Sequence, residues 1–321
     1  MTSNLTERVR SSCKAVAERA TRVRIDHERI PSYAASLPLE QAMAPELDSK
    51  CHYFGEPDET VAFFLTLDAI NFGSGYFPVF RKRQGMSGYF TVAASLTDYY
   101  RQHGPLPAQV LAELTAKDCT KIFGQDPDNK TICEFMGLFA AALNDLGQYL
   151  LDRFDGSFIG LVEEAGSSAE LLARLLVEMP YFDDVVFYEG LEASFYKRAQ
   201  LTPADLAVAF EGKGPGCFED LDRLTIFADN LVPHVLHMDG MLLYEEGLAA
   251  RIEAEELIPS GSVEEVEIRA CAVHAVERLV RELRRSGYNV TAMGLDYLLW
   301  NRGQQPYYKA RPRHRTRTVF Y

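Results

Sequence analysis

VEEVEIRACAVHAVERLVRELRRS, residues 263–286, decides the fold class. Val266, Ala270, Val273, Val276, Val280 and Leu283 recur every three or four positions, so one apolar stripe runs along a single helical face. Beyond it, a further helix ends in the run Leu295–Trp300, and residues 311–321 alternate Arg with other residues, a pattern that suits an edge strand. Before it, helical patterns cover 4–20 (with Ser3 or Asn4 as cap), 26–36, 91–102, 107–115, 131–154, 167–178 (ended by Pro180) and 193–210. Residues 60–72 are almost continuously apolar, and periodicity cannot separate a buried strand from a buried helix there. The spacing of Phe64, Asp68 and Asn71 would place them on one helical face, with Gly73 ending the helix. Residues 76–90, rich in Tyr, Phe and Gly, read as a small β-hairpin. The expected class is mainly α with a small β-hairpin or sheet. With no repeat and no Pro/Ser-rich linker, residues 1–321 are expected to form one unit of one or two lobes.

A formal net charge of −13 argues against binding a nucleic-acid polymer, which requires an electropositive face. The basic residues Lys309, Arg311, Arg313, His314, Arg315 and Arg317 read as a solvated strand or tail. The six cysteines are scattered and form no C-x-x-C pair, so they read as small buried hydrophobes rather than a zinc ribbon or disulfide framework. Residues 1–20 are charged throughout, so no signal peptide is expected. No apolar run approaches the roughly 18 residues of a membrane span. The expected compartment is cytoplasmic.

Several chemistries lack a motif. There is no G-x-x-x-x-G-K-[ST] loop, and Gly212, Gly214 and Gly216 do not match G-x-G-x-x-G, so they read as a tight turn. His234 and His237 have H-x-x-H spacing with Asp239 nearby, but a third ligand would have to come from far away. Buried or capping histidines are the better reading. No G-x-S-x-G elbow supports a serine nucleophile.

What stands out is charge inside apolar runs: Asp68 and Asn71 in FFLTLDAINF, Lys197 and Arg198 in SFYKRAQL, Asp229 and Asn230 in TIFADNLVP, and Asp296 in GLDYLLW. Charges are seldom placed there without a partner or a task. The structural alternative is that Asp229 caps a helix beginning near Val232–Pro233 and that Asp68 sits on the polar rim of its helix. Four such sites in one chain favour a common cleft.

At these residues the sequence resembles the queuosine salvage family, the queuosine 5′-phosphate N-glycosylase/hydrolases. The resemblance is carried by LTLDAINF (65–72), SGYF (87–90), FYEGLEASFYKRAQL (187–201), FEGKGPGCFEDL (210–221), TIFADNLVPHVL (225–236), VEIRACAV (266–273), LDYLLW (295–300) and HRTRTVFY (314–321). The chain departs from the family pattern at Asn230, His234 and Asn301. The resemblance implies a helical fold like that of helix-hairpin-helix DNA glycosylases, a queuosine 5′-monophosphate substrate, release of queuine, and no cofactor or metal. It also implies functional roles for Asp229 and Lys197, and pocket positions for Asp296 and His52.

Cleaving an N-glycosidic bond builds oxocarbenium-like charge on the sugar, which a preorganised carboxylate stabilises. Asp229 is the candidate. Queuine is a 7-deazaguanine and lacks the N7 that acids protonate in ordinary purines. Asp296, flanked by Tyr297 and Trp300, is the candidate for holding the base or supplying a proton. Lys197 or Arg198 is expected to grip the 5′-phosphate. His52, Asp68 and Asn71 are expected to line the base pocket, and Phe227 or Tyr297 to stack on the base. The alternatives are a non-catalytic protein that binds queuine, and a lesion glycosylase acting on DNA, which the acidity disfavours.

Overall fold

The computed structural model describes residues 4–40 and 47–321. Its contacts divide the chain into two units. The first holds the described residues of 1–45, with 184–200 and 220–317. The second holds 47–183, 201–219 and 318–321.

The first unit opens with α1 (Leu5–Ala17), whose first turn is capped by the Asn4 side chain, then β1 (Val23–Ile25) and α2 (Ile30–Ser36). The second unit holds α3 (Pro57–Ala69), α4 (Gly88–His103), α5 (Ala108–Glu113), α6 (Ala116–Ile122), α7 (Lys130–Phe154), α8 (Phe158–Ala165) and α9 (Ala169–Leu176). The chain then forms the hairpin β2 (Val185–Tyr188) and β3 (Leu191–Ser194), followed by α10 (Lys197–Ala209), within which the division between units falls. The first unit is completed by α11 (Leu231–Met238), β4 (Leu242–Tyr244), α12 (Glu246–Glu253), α13 (Val263–Arg285), α14 (Ala292–Gly303) and α15 (Pro306–Lys309).

The stripe that opened the sequence reading is the spine of the first unit. Val266, Ala270, Val273, Val276, Val280 and Leu283 are all buried on α13, which packs against α1, α2, β1, β2, α11 and α14. From α1, Val9, Cys13 and Val16 are fully covered, each Val contributing about 1.5–3 kcal/mol through burial. The two sheets are antiparallel and two-stranded. β1 pairs with β4 (Val23 opposite Tyr244), and β2 with β3 (Val185 opposite Ser194). In the second unit, α7 packs on α3, α5, α6 and α8.

The ambiguous run 60–72 is helical: α3 starts with Pro57 and a Glu56–Glu59 capping box and is buried on all sides from Thr60 to Ala69. Asp68 is therefore not on a polar rim; it is fully buried. The hairpin expected over 76–90 is absent. Those residues form turns leading into α4, and their aromatic side chains pack instead on α7, Tyr76 stacking 4.6 Å from Phe135 with Phe77 and Phe80 edge-on to the same ring. Gly73 permits this approach: its φ is +113°, and a Cβ there would lie 2.1 Å from the Phe135 ring. The edge strand expected over 311–321 reduces to a single parallel bridge, Leu257 with Arg315.

Candidate active site

Residues 224–229 form irregular backbone leading into α11. Irregular backbone that is buried needs a partner for its polar groups, and side chains of three helices, α10, α14 and α13, supply them at Thr225, Phe227 and Ala228. Gln200 of α10 accepts from the Thr225 amide (2.9 Å) and donates to the Phe195 carbonyl (2.9 Å). Asp296 of α14 accepts the Phe227 amide at 2.8 Å. Arg269 of α13 donates through Nε to the Ala228 carbonyl at 2.9 Å. Asn230 donates to the His314 carbonyl at 3.1 Å.

Asp229 is half-buried in this otherwise covered strip. Its Oδ1 accepts the Leu231 and Val232 amides at 2.7 and 3.0 Å, so it does cap α11. Its Oδ2 makes no hydrogen bond among the described residues. One oxygen thus fixes the carboxylate while leaving the other uncommitted. Burial lowers the Arg313 pKa from the usual guanidinium range and the Asp229 charge opposes that, so the two groups lie within electrostatic reach. His314 is buried and held neutral, its pKa pushed down to about 3 by burial and by the positive Arg269 and Arg313. These two residues correct the expectation of a solvated basic tail: Arg313 is half-buried and His314 fully so, while Lys309, Arg311 and Arg317 are exposed.

Lys197 and Arg198 begin α10 and are both buried. Both stand at the N-terminal end of α10, where the helix dipole is positive, with the buried Asp184 carboxylate beside them. The turn into this helix is unusual, with Tyr196 at φ +50°. Asp184, just before β2, holds it: its carbonyl accepts from Phe195 (2.9 Å), and its Oδ2 accepts the Lys197 amide (3.3 Å). Arg269 grips the same carboxylate with both terminal nitrogens, at 3.0 and 2.5 Å, and its guanidinium lies 3.9 Å from the centre of the Phe195 ring. Phe227 and Tyr297 meet edge to face with ring centres 6.2 Å apart.

His52, Asp68 and Asn71 belong to the second unit. His52 is buried, stacks on Phe64, donates from Nδ1 to the Asp48 carbonyl (2.8 Å) and accepts at Nε2 from the Tyr89 hydroxyl (2.9 Å). Burial holds its pKa below the usual imidazole value. Tyr89 titrates well above its ordinary range because of burial and then the nearby charges of Asp205 and Asp68, both buried. Asn71 is half-buried just past α3.

The sequence reading names Asp229, Asp296, Phe227 and Lys197 as candidates but not Arg269, Asp184 and Gln200, which tie the backbone beside them, nor, in the second unit, Tyr89, which bonds His52. The rule that flagged Asp229 applies equally to Arg269, which stands three residues after Val266 and one before Ala270 on the buried stripe. The two histidines with H-x-x-H spacing bind backbone: His234 the Tyr308 carbonyl (2.8 Å) and His237 the Leu242 carbonyl (2.9 Å). Among the described residues, no three His, Cys, Asp or Glu side chains are grouped to hold a metal ion. The glycines read as a turn do form one, at Gly214–Gly216; a Cβ on Gly216 would lie 2.5 Å from the Leu206 carbonyl. No helix among the described residues is long and apolar enough to cross a membrane.

A family profile described as queuosine salvage protein matches residues 51–321. The chain is 38% identical over 318 residues to the queuosine 5′-phosphate N-glycosylase/hydrolase of Sphaerobacter thermophilus, covering 98% of this chain and 97% of that one. It is 33% identical to the protein of the same name from Mus musculus (97% and 98% covered), and 31% identical to that of Dictyostelium discoideum (82% and 78%). The chain belongs to the queuosine salvage protein family.

Proposed function

We propose that this protein hydrolyses the N-glycosidic bond of queuosine 5′-phosphate and releases queuine. The observation that carries the proposal is Asp229: one oxygen is locked into the cap of α11, and the other is uncommitted on a strip held by side chains of three helices. A carboxylate fixed before the reaction begins can stabilise the oxocarbenium-like charge without reorganising, which is where electrostatic catalysis gains most. Asp296 is the proposed partner of the departing base. Lys197 and Arg198 are the proposed phosphate grip, and Phe227 and Tyr297 the stacking surfaces. In the second unit, His52, Asp68 and Asn71 are proposed to recognise polar groups of the base. The helix-hairpin-helix glycosylase likeness is part of this reading. The net charge of −13 supports a free nucleotide rather than a nucleic-acid duplex as substrate.

The test is incubation of the purified protein with queuosine 5′-phosphate, queuosine and guanosine monophosphate, following free base by chromatography. Catalytic release of queuine from queuosine 5′-phosphate, with no guanine from the third, is expected. Tight retention of queuine without turnover would mean a binding protein instead.

A further inference from the structure

Arg269 joins two parts of the site. Its Nε holds the Ala228 carbonyl, one residue before Asp229, at 2.9 Å. Its two terminal nitrogens hold the Asp184 carboxylate, whose Oδ2 also takes the Lys197 amide at the head of α10. The side chain is 2% exposed and Asp184 3%. Arg269 also lies 3.4 Å from the buried Glu265 carboxylate, and charges this deeply buried are costly to desolvate, so stability alone is a weak reason for the arrangement. A planar fork fixes two directions at once, which a lysine cannot do.

We propose that Arg269 is a positioning residue for the reaction: it sets the Asp229 carboxylate and the Lys197–Arg198 corner at a fixed separation. The proposal rests on the hydrolase reading above for its chemistry, but its geometric content is independent of the substrate. A displacement of about 1 Å at a reacting group can cost on the order of a hundredfold in rate. Because Asp229 acts on charge that develops only in the transition state, its displacement should appear in kcat rather than KM.

The test is Arg269→Lys, which keeps a buried cation beside Asp184 and gives up the simultaneous hold on Ala228. The expected result is kcat on queuosine 5′-phosphate at least tenfold lower, KM within threefold, and amide hydrogen exchange at Leu231 and Val232 at least tenfold faster. Glu267→Gln is the control for destabilisation. Glu267 is a fully buried carboxylate of the same helix that holds the amides of Thr21, Arg22 and Val23, and the Tyr188 hydroxyl. Assayed below its melting temperature, it should keep wild-type kcat. Unchanged kcat in Arg269→Lys, a loss confined to KM, or an equal loss of kcat in Glu267→Gln would overturn the proposal. If Arg269→Lys does not fold, Asp184→Asn replaces it, with the same tenfold loss of kcat expected and an unchanged kcat counting against it. A wild type that releases no base would remove the hydrolase reading, and the exchange rates would then decide the positioning claim: unaltered exchange overturns it, faster exchange upholds it.

Discussion

Asp296→Asn separates the anchoring of Phe227 from the acid role proposed for the same side chain. Asp296 is buried and its Oδ1 accepts the Phe227 amide at 2.8 Å. The asparagine carboxamide keeps an oxygen at that position, so the strip carrying Asp229 should stay in place. What changes is the group's ability to carry and give up a proton; one acceptor replaces another in the bond to Phe227, so the variant should lose at most roughly 1 kcal/mol of stability. For a chain of 321 residues that is a fall of about 1–2 °C in melting temperature. If Asp296 also gives a proton to the departing base, the variant loses general acid catalysis as well, worth about a hundredfold to ten-thousandfold in rate. The assay pairs a melting curve with chromatographic release of queuine at saturating substrate. A small loss of stability with a loss of at least a hundredfold in turnover is expected. Turnover within about threefold of wild type, in a folded variant, would refute the acid role and leave Asp296 as an anchor for Phe227.

Two further outcomes follow from the same geometry. Lys197→Ala should lower kcat/KM for queuosine 5′-phosphate by about ten- to a hundredfold, as expected for loss of a charge-assisted contact, while the nucleoside loses threefold or less; equal losses on both would remove Lys197 from the phosphate. His314 is neutral when folded, with a pKa down from 6.5 to about 3, so below pH 6.5 the unfolded state binds the extra proton and folding stability falls with pH. This one group should cost about 1.4 kcal/mol between pH 7.5 and 5.5, and the stability gap between wild type and His314→Gln should narrow by that amount in denaturant titrations; parallel curves would contradict it.

How far the sequence reaches depends on how strongly each segment advertises its surroundings. α13 is legible because apolar residues recur along one face, and α7 and α4 are found within a few residues of their ends. α3 is buried on every side, so it has no stripe to read and its helical state is settled by packing and its capping box. The hairpin was sought in the wrong place. Residues 76–90 have strand-like composition, but their rings fill space around Phe135 instead of alternating across a ladder. The real hairpin carries the turn Glu189–Gly190, both with positive φ (46° and 80°), the geometry of a two-residue hairpin turn, and its apolar runs on either side were the available signal. The candidate site was read from charges inside apolar runs, which picked out Asp229, Asp296, Lys197, Arg198 and Asp68. Arg269 fits the same rule, but α13 is rich in charge and the pattern alone does not mark it out from the exposed arginines farther along the helix. The ties from Gln200 to Thr225 and from Asn230 to His314 join residues 25 and 84 positions apart, a separation no local pattern encodes.

The most direct test of the central claim is Asp229→Asn. The asparagine oxygen can still accept the Leu231 and Val232 amides, so the cap of α11 and the melting temperature should be nearly unchanged. Removal of the carboxylate charge should cut queuine release from queuosine 5′-phosphate by at least about a hundredfold, with substrate still bound. Near-wild-type release from a folded Asp229→Asn protein would contradict the account and reduce Asp229 to a helix cap.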